Sequence, residues 1–299
     1  MERFTIKIAG LYFQCQSGSH RIQLDKQGSV RHYLSQDSVI SPDYFLEYTV
    51  VHSLDLSNYE PVFAGKPEAN EALNYKWHVY NSKGKVVVTV DYTDHPHIQT
   101  ITAFVVDNDT TINIQIVLKD ALDKSVVIDP FIHPLGSLLM LYLMQRKKGL
   151  LIHASAVAVD GKAFLFTGVS GIGKSTMARL WRECGAQILN DDRLVLRPFE
   201  DEVRVYNNPM PYYAQHPREA SLKAIFLLKQ SPQNYIQPLG GVLAYSRVLG
   251  NFIQQFYQQQ MVQNHLGLVE EVLNKVKVYE VGFKPDHDIV AMIKGMDGE

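Results

Sequence analysis

The first 130 residues alternate between apolar and polar side chains with a period of two, the pattern of β-strands that bury one face. Residues 4–8 and 44–51 are candidate strands. Two hairpins are predicted where strand-like runs flank short polar loops: residues 77–80 and 85–90 around a loop with Gly84, and residues 98–106 and 111–118 around residues 107–110. The pattern predicts a β-rich N-terminal domain over residues 1–130, either a scaffold or a module that recognises substrate.

The pattern becomes helical just beyond residue 130. Residues 135–144 are apolar nearly all round, which predicts a buried helix. The cations at residues 146–148 and Gly149 follow, and both features are typical of a helix C-terminus. We place the domain junction near this helix and assign residues 131–299 to a second domain.

The second domain continues with a predicted hairpin that leads into a glycine-rich loop. Residues 150–159 and 163–167 are apolar strands joined by the tight turn Asp160-Gly161. Beyond the loop, one apolar helix face is predicted from residues at helical spacing: Met177, Leu180, Trp181 and Cys184. Strand, glycine loop and helix in this order are what a phosphate-binding loop requires.

The loop, Gly168-Val-Ser-Gly-Ile-Gly-Lys-Ser175, fits the pattern G-x-x-x-x-G-K-[ST] of nucleotide-binding proteins. Its glycines admit backbone conformations closed to other residues, so several N–H groups can point at one phosphate. The helix start adds its positive dipole end. Lys174 would reach the β- and γ-phosphates, and the Ser175 hydroxyl would ligate Mg²⁺. The alternative is a glycine turn before an ordinary helix. The candidate nucleotide-binding residues are Gly168, Ser170, Gly171, Ile172, Gly173, Lys174, Ser175 and Thr176.

Two adjacent carboxylates, Asp191 and Asp192, interrupt an apolar run over residues 186–196. Carboxylates in a buried strand cost free energy unless something pairs with them. Because side chains alternate across a strand, the two should face opposite ways, one toward the nucleotide site and the other toward a neighbouring element. The alternative is a strand that ends at Leu189, with both aspartates in a solvated turn. His153 lies in the neighbouring apolar strand, where a histidine by itself is more often a core residue than a catalytic one.

The remaining pattern is mixed. Strands are predicted over residues 203–206, 222–228, 236–239 and 276–281, and helices over residues 242–257, from 261 onward and over 286–294. Residues 207–217 are rich in Pro, Asn and Tyr, and a loop of this kind beside an active site could cover substrate.

Composition narrows the class of protein. Apolar residues make up 46% and charged residues 20%, an ordinary globular balance, and the net charge of −2 gives no indication of a nucleic-acid or membrane surface. No apolar signal segment or run of about 18 apolar residues is present. The two cysteines make neither a disulfide framework nor a metal quartet. We therefore expect a cytoplasmic protein without nucleic-acid or membrane partners, and the sequence leaves open whether it forms a homo-oligomer.

Residues 135–296 resemble the catalytic domain of the HPr kinase/phosphorylase family and its kinase-like relatives. Three features carry the resemblance in fixed order: a histidine-bearing strand with Leu151-Ile-His-Ala-Ser-Ala156, the loop from Gly168 to Thr176, and Asn190-Asp-Asp-Arg193 beyond it. The resemblance implies an α/β fold related to phosphoenolpyruvate carboxykinase, a mixed sheet with flanking helices and a phosphate-binding loop. It also implies ATP, Mg²⁺ and a protein or peptide substrate that carries a hydroxyl group.

The resemblance assigns roles to single residues. Lys174 would bind phosphate, and Ser175 would ligate Mg²⁺. One of Asp191 and Asp192 would act as the base and the other would bind or orient Mg²⁺; we favour Asp192 as the base, with Asp191 at the metal. His153 would lie close to the aspartates and tune them. The arginine-glycine signature of typical HPr kinase/phosphorylases is missing after the aspartates, which puts phosphorolysis and HPr itself in doubt as activity and substrate.

The sequence thus predicts a kinase that transfers a phosphoryl group from ATP to a hydroxyl, expected to be a serine, of a protein or peptide. Two alternatives remain: a nucleotide-binding regulatory protein with little transfer activity, and a small-molecule kinase. The sequence does not choose between ATP and GTP. It offers three arginines as the cation for the transition state, Arg193, Arg204 and Arg218, and singles out none.

Overall fold

The computed structural model describes residues 3–37, 41–67, 73–119, 125–211 and 213–296. The protein is a mixed α/β protein with a β-rich N-terminal region. It folds into two compact units. The first comprises Met1–Leu143 and Pro209–His216, and the second comprises Met144–Asn208 and Pro217–Glu299. The loop predicted over residues 207–217 therefore contributes mostly to the first unit. Within the described residues, no helix has the length and apolar character needed to cross a membrane.

The first unit contains an eight-stranded sheet in the order β1-β2-β4-β9-β8-β7-β6-β5 and a separate parallel pair, β3 and β10. Its strands are β1 (Arg3–Ile8), β2 (Leu11–Ser17), β3 (Ile22–Leu24), β4 (Tyr44–Val51), β5 (Glu60–Gly65), β6 (Tyr75–Ser82), β7 (Lys85–Tyr92), β8 (Ile98–Val106), β9 (Thr111–Leu118) and β10 (Val126–Ile128).

Both predicted hairpins of this unit are confirmed. β6 pairs with β7 and β8 with β9, each antiparallel. The connecting turns contain residues with positive φ, Gly84 at 69° and Asn108 at 61°. Glycine and asparagine are the residues that adopt this conformation at least cost, which is why the turns could be recognised. The short strands β3, β5 and β10 were not predicted, because three to six residues give too little alternation.

The elements from residue 135 onward are α1 (Leu135–Arg146), β11 (Leu150–Val159), β12 (Lys162–Thr167), α2 (Lys174–Glu183), β13 (Gln187–Asn190), β14 (Arg193–Pro198), β15 (Val203–Asn207), β16 (Glu219–Gln230), β17 (Tyr235–Leu239), α3 (Gly241–Leu249), β18 (Phe252–Ile253), α4 (Gln259–Lys275), β19 (Lys277–Phe283) and α5 (Asp288–Gly295). Helix α1 begins in the first unit and ends in the second.

The sheet of the second unit has nine strands, seven of them in the order β12-β11-β14-β15-β16-β19-β17. A further pairing between β12 and β16 closes β12, β11, β14, β15 and β16 into a ring. Strands β12, β16 and β19 are mutually parallel neighbours, so their carboxyl ends meet at one edge of the sheet. That edge is where ligands of α/β sheets usually bind.

The two faces of this sheet carry separate apolar cores. Residues of α3 and α4, among them Val248 and Val269, cover one face. Helices α2 and α5 cover the other, where Trp181 is fully buried against Phe164, with ring centroids 4.6 Å apart. The apolar face predicted for α2 is therefore the one that packs on the sheet and fixes the direction of the helix.

One predicted helix is shorter than expected. The prediction over residues 242–257 is correct only for α3, which ends at Leu249. The side-chain Nδ2 of Asn251 donates to the carbonyl of Arg247 at 2.8 Å, and the chain then extends as β18, which pairs with β11. Beyond Gly250, the hydrogen bonds with β11 stabilise an extended chain more than the helical side-chain pattern stabilises a helix.

Candidate functional site

The glycine loop, residues 168–173, connects the end of β12 to the start of α2, in the predicted order. Gly168 has a φ of 147° and Gly173 a φ of 113°, values that side-chain-bearing residues rarely adopt. A Cβ atom added to Gly173 would lie 2.6 Å from Cζ of Phe283, so the backbone here is held close to an aromatic ring. Both torsion and space therefore require glycine at position 173.

Lys174 is the first residue of α2 and is 7% exposed. Its Nζ donates to the carbonyls of Gly168 at 3.0 Å and Val169 at 3.2 Å, so the ammonium lies within the curve of the loop. Burial lowers the pKa of Lys174, while the charge of Asp192 acts in the opposite direction. The Ser155 hydroxyl donates to the Lys174 carbonyl at 3.0 Å and ties the start of α2 to β11.

The N-terminus of α2 is open to an anion. Its N-cap residue is Gly173, which has no side chain to cap the first N–H groups, and its first turn contains no acidic residue. The N–H groups of such a turn and the helix dipole attract negative charge. The other predicted loop residues surround this end: Ser170, Gly171 and Ser175 are exposed, and Ile172 and Thr176 are half-buried.

Asp191 and Asp192 lie in a bend between β13 and β14, which both pair with β11. The strand ends at Asn190 and resumes at Arg193, so the aspartates lie outside a continuous strand, as in the alternative interpretation, and the strand ends one residue later than Leu189. The side-chain Oδ1 of Asn190 accepts from the backbone N–H of Asp192 at 2.9 Å, which stabilises the bend.

The bend separates the two carboxylates. Asp191 is exposed, whereas Asp192 is half-buried, with 38% of its side chain accessible. One oxygen of Asp192 lies 3.3 Å from Nδ1 of His153, and the other lies 3.6 Å from Nε of Arg193. The hydrogen bond with His153 lowers the pKa of Asp192, and the charges of Arg193, His153 and Lys174 lower it further, against the effect of burial.

The structure therefore brings His153, Asp192 and Lys174 into one electrostatic neighbourhood. Ala154, the residue after His153, donates its N–H to the carbonyl of Asp192 at 3.1 Å and so holds Asp192 beside the histidine strand. The hydroxyl of Thr167, the last residue of β12, donates to the carbonyl of His153 at 2.9 Å and joins the histidine strand to the strand that delivers the loop.

The three candidate arginines have different surroundings. Arg193 is beside Asp192. Arg204 forms ion pairs with Glu202 and Glu219. Arg218 donates from its guanidinium to the carbonyl of Ile188 in β13. Of the three, Arg193 is the one that contacts a predicted catalytic residue.

A cavity of about 540 Å³ opens beside the loop, at the carboxyl ends of β16 and β19. Its lining residues are Gly171, Ile172, Gly173, Thr176, Gln230, Ser231, Pro232, Phe283 and Pro285. The sequence predicted only the first four as site residues. The other lining residues end or follow β16 and β19, two strands that are about fifty residues apart in the sequence. No local sequence pattern shows that the ends of these two strands meet.

We expect Gly173→Ala to destabilise the protein by about 1–3 kcal/mol, because alanine must adopt a strained φ and its Cβ overlaps the Phe283 ring. Gly161→Ala is the matched control: its φ is also positive, at 75°, but nothing lies within 4 Å of an added Cβ. Urea unfolding midpoints measure both changes. Equal losses in the two variants would mean that the contact with Phe283 is without consequence.

The fold and this site define a mixed α/β protein in which a strand, a glycine loop and an uncapped helix start lie beside a histidine–aspartate pair. Residues 117–278 match the model of the family described as SynChlorMet cassette protein ScmC. This match covers more than half of the chain, and the protein belongs to that family.

Other comparisons add little. No curated protein matches the chain. The Hpr(Ser) kinase/phosphatase from Coxiella burnetii is a solved structure with 12% sequence identity and a TM-score of 0.28, covering 49% of this chain and 93% of that chain. At this TM-score the likeness supports neither a fold nor a function for the protein.

Proposed function

We propose that the protein is an ATP- and Mg²⁺-dependent kinase that transfers a phosphoryl group to a hydroxyl, expected to be a serine, of a protein or peptide. The observation that carries the proposal is the position of Asp192, which is half-buried between His153 and Arg193 and close enough to Lys174 for their charges to act on each other. A carboxylate and a loop lysine in one neighbourhood are what phosphoryl transfer to a hydroxyl requires.

The glycine loop is the proposed phosphate site. Its backbone N–H groups, the uncapped start of α2 and the Lys174 ammonium all supply positive charge to this site. Lys174 would exchange its hydrogen bonds with the loop carbonyls for phosphate oxygens. In this role the residue stabilises charge that grows on the phosphates during transfer.

The Mg²⁺ ligands that we propose are Ser175, in the first turn of α2, and Asp191, the role that the resemblance gives this residue. Ser175 and Asp191 are both exposed oxygen donors, and they would hold the ion together with phosphate oxygens and water. Within the described residues, no three His, Cys, Asp or Glu side chains form a metal cluster, and Mg²⁺ needs no such cluster. When bound, the ion would neutralise phosphate charge.

Asp192 is the proposed base. It would accept the proton of the attacking hydroxyl while the hydroxyl oxygen bonds to the γ-phosphorus and the bond to the leaving ADP oxygen breaks. An aspartate is ionised at neutral pH, and the contact with His153 lowers the pKa of Asp192 further, so the carboxylate would be able to accept a hydrogen bond from the hydroxyl. His153 would hold the carboxylate in place through its Nδ1 contact, and Arg193 would limit its rotation from the other side.

The two domains predicted from the sequence would have different roles. We propose that residues 131–299 carry a phosphate-loop kinase fold of the HPr kinase/phosphorylase type, and that the β-rich residues 1–130 recognise the substrate. The proposed kinase fold is supported by the order of three elements along the chain: the strand with His153, the glycine loop and the bend with the two aspartates. The polypeptide nature of the substrate rests on the resemblance described above.

A transfer assay tests the proposal. Purified full-length protein is incubated with γ-labelled ATP, Mg²⁺ and cell lysate, and labelled products are resolved and hydrolysed for phosphoserine. We expect label in a small number of polypeptides, dependent on Mg²⁺ and on the protein. Label confined to small molecules would favour a small-molecule kinase. ATP binding without label in any product would favour the regulatory alternative.

A further inference from the structure

We propose that the cavity at the ends of β16 and β19 holds the base of the nucleotide against its apolar lining. This inference rests on the proposed function, because it assigns the part of the nucleotide that the glycine loop does not bind. None of its walls beyond Thr176 was indicated by the sequence motif.

The position of the cavity follows from strand lengths. Thr167, the last residue of β12, pairs with Leu227, so β16 continues for three residues past the point where β12 ends. β19 runs beside this extension as far as the pair Gln230 and Phe283. The extended strand ends form a wall next to the loop, and a nucleotide whose phosphates lie in the loop has its base directed along the same edge of the sheet or out to solvent.

The lining of the cavity suits a neutral, planar group. The accessible apolar surface comes from Ile172, Pro232 and Pro285, while the buried ring of Phe283 lies beneath them against Gly173. Among the described residues that line the cavity, none is charged; the polar side chains are those of Thr176, Gln230 and Ser231. Away from the loop backbone, the cavity offers a second phosphate or a charged substrate group no charged side chain among its described lining residues, whereas a base can pack on its apolar surface.

The wall is held in place before any ligand arrives. The Ser231 N–H donates to the carbonyl of Phe283 at 3.2 Å. The side chain of Asn234 joins the two loops, donating from Nδ2 to Asp286 at 2.9 Å and accepting from the N–H of Lys284 at 2.8 Å. Because these bonds already order both loops, binding a base would cost little conformational entropy. The volume of about 540 Å³ is within the usual range for small-molecule sites.

The test compares ATP with inorganic tripolyphosphate, which has the phosphates but no nucleoside, as ligands in isothermal titration with Mg²⁺. Ser231→Trp should fill the cavity and lower ATP affinity about tenfold, a typical value for one stacking contact, without changing tripolyphosphate affinity. Gln233→Trp is the matched control: Gln233 is exposed in the same turn but does not line the cavity, so neither affinity should change.

Pro285→Trp fills the cavity from the other loop, since Pro285 is exposed and lines the cavity after β19. It should also lower ATP affinity about tenfold and leave tripolyphosphate affinity unchanged, with its unfolding midpoint recorded alongside. If wild type binds ATP and both variants, folded, bind it equally well, the base lies elsewhere and only this inference is overturned. If wild type binds neither ATP nor tripolyphosphate, the proposed function itself fails.

Discussion

Asp192→Asn is expected to reduce phosphoryl transfer by about 10²–10⁴-fold, the usual contribution of a general base, while ATP still binds. Asparagine keeps the shape of the side chain but cannot accept the proton of the attacking hydroxyl. The half-buried position between His153 and Arg193 should be retained, because the amide can still hydrogen-bond to both. Single-turnover transfer from labelled ATP measures the loss, and isothermal titration measures ATP affinity.

Asp191→Asn is the matched control for this prediction, since it makes the same change one residue earlier. Asp191 is exposed, whereas Asp192 is the residue that contacts His153 and Arg193, so we expect substitution of Asp191 to raise the Mg²⁺ concentration needed for half-maximal rate rather than to abolish transfer. If Asp192→Asn transfers phosphate at the rate of wild type, Asp192 is not the base. If the two variants exchange these behaviours, the assigned roles of the aspartates are reversed.

The local part of the fold could be predicted from the sequence. The strand before the loop, the helix after it and the hairpins of the first unit have signals within about ten residues: alternation, glycine at positive φ and an apolar face at helical spacing. Trp181 illustrates the point, because its spacing from Met177 was enough to place it on the buried face of α2.

The nonlocal part could not be predicted. The bend at Asp191 and Asp192 depends on β11 pairing with β13 and β14 in turn, and the end of α3 depends on β18 pairing with the same strand. The closing pair of β12 and β16 joins residues about sixty positions apart. Hydrophobic periodicity contains no information on which strand a run will join, and every difference between prediction and structure in the second unit arises there.

The same distinction explains the site. The loop was recognisable because its eight consecutive residues carry the chemistry, whereas Phe283 follows the loop by more than a hundred residues and reaches it only through the order of parallel strands. His153 is intermediate. Its strand was predicted, but its Nδ1 contact with Asp192 depends on the register that places His153 opposite Arg193.

Lys174→Ala is expected to lower ATP affinity at least about thirtyfold and to bring transfer below detection, because truncating one member of a buried charge pair typically costs about 2 kcal/mol or more. The Nζ is the one side-chain cation within the curve of the loop among the described residues, and its hydrogen bonds to Gly168 and Val169 place it where phosphate oxygens would lie. Lys162→Ala removes an equal charge from the exposed opposite end of β12, the strand that leads into the loop, and should leave affinity unchanged. Equal ATP affinities for wild type and Lys174→Ala would mean that Lys174 does not bind phosphate, and its proposed role would be wrong.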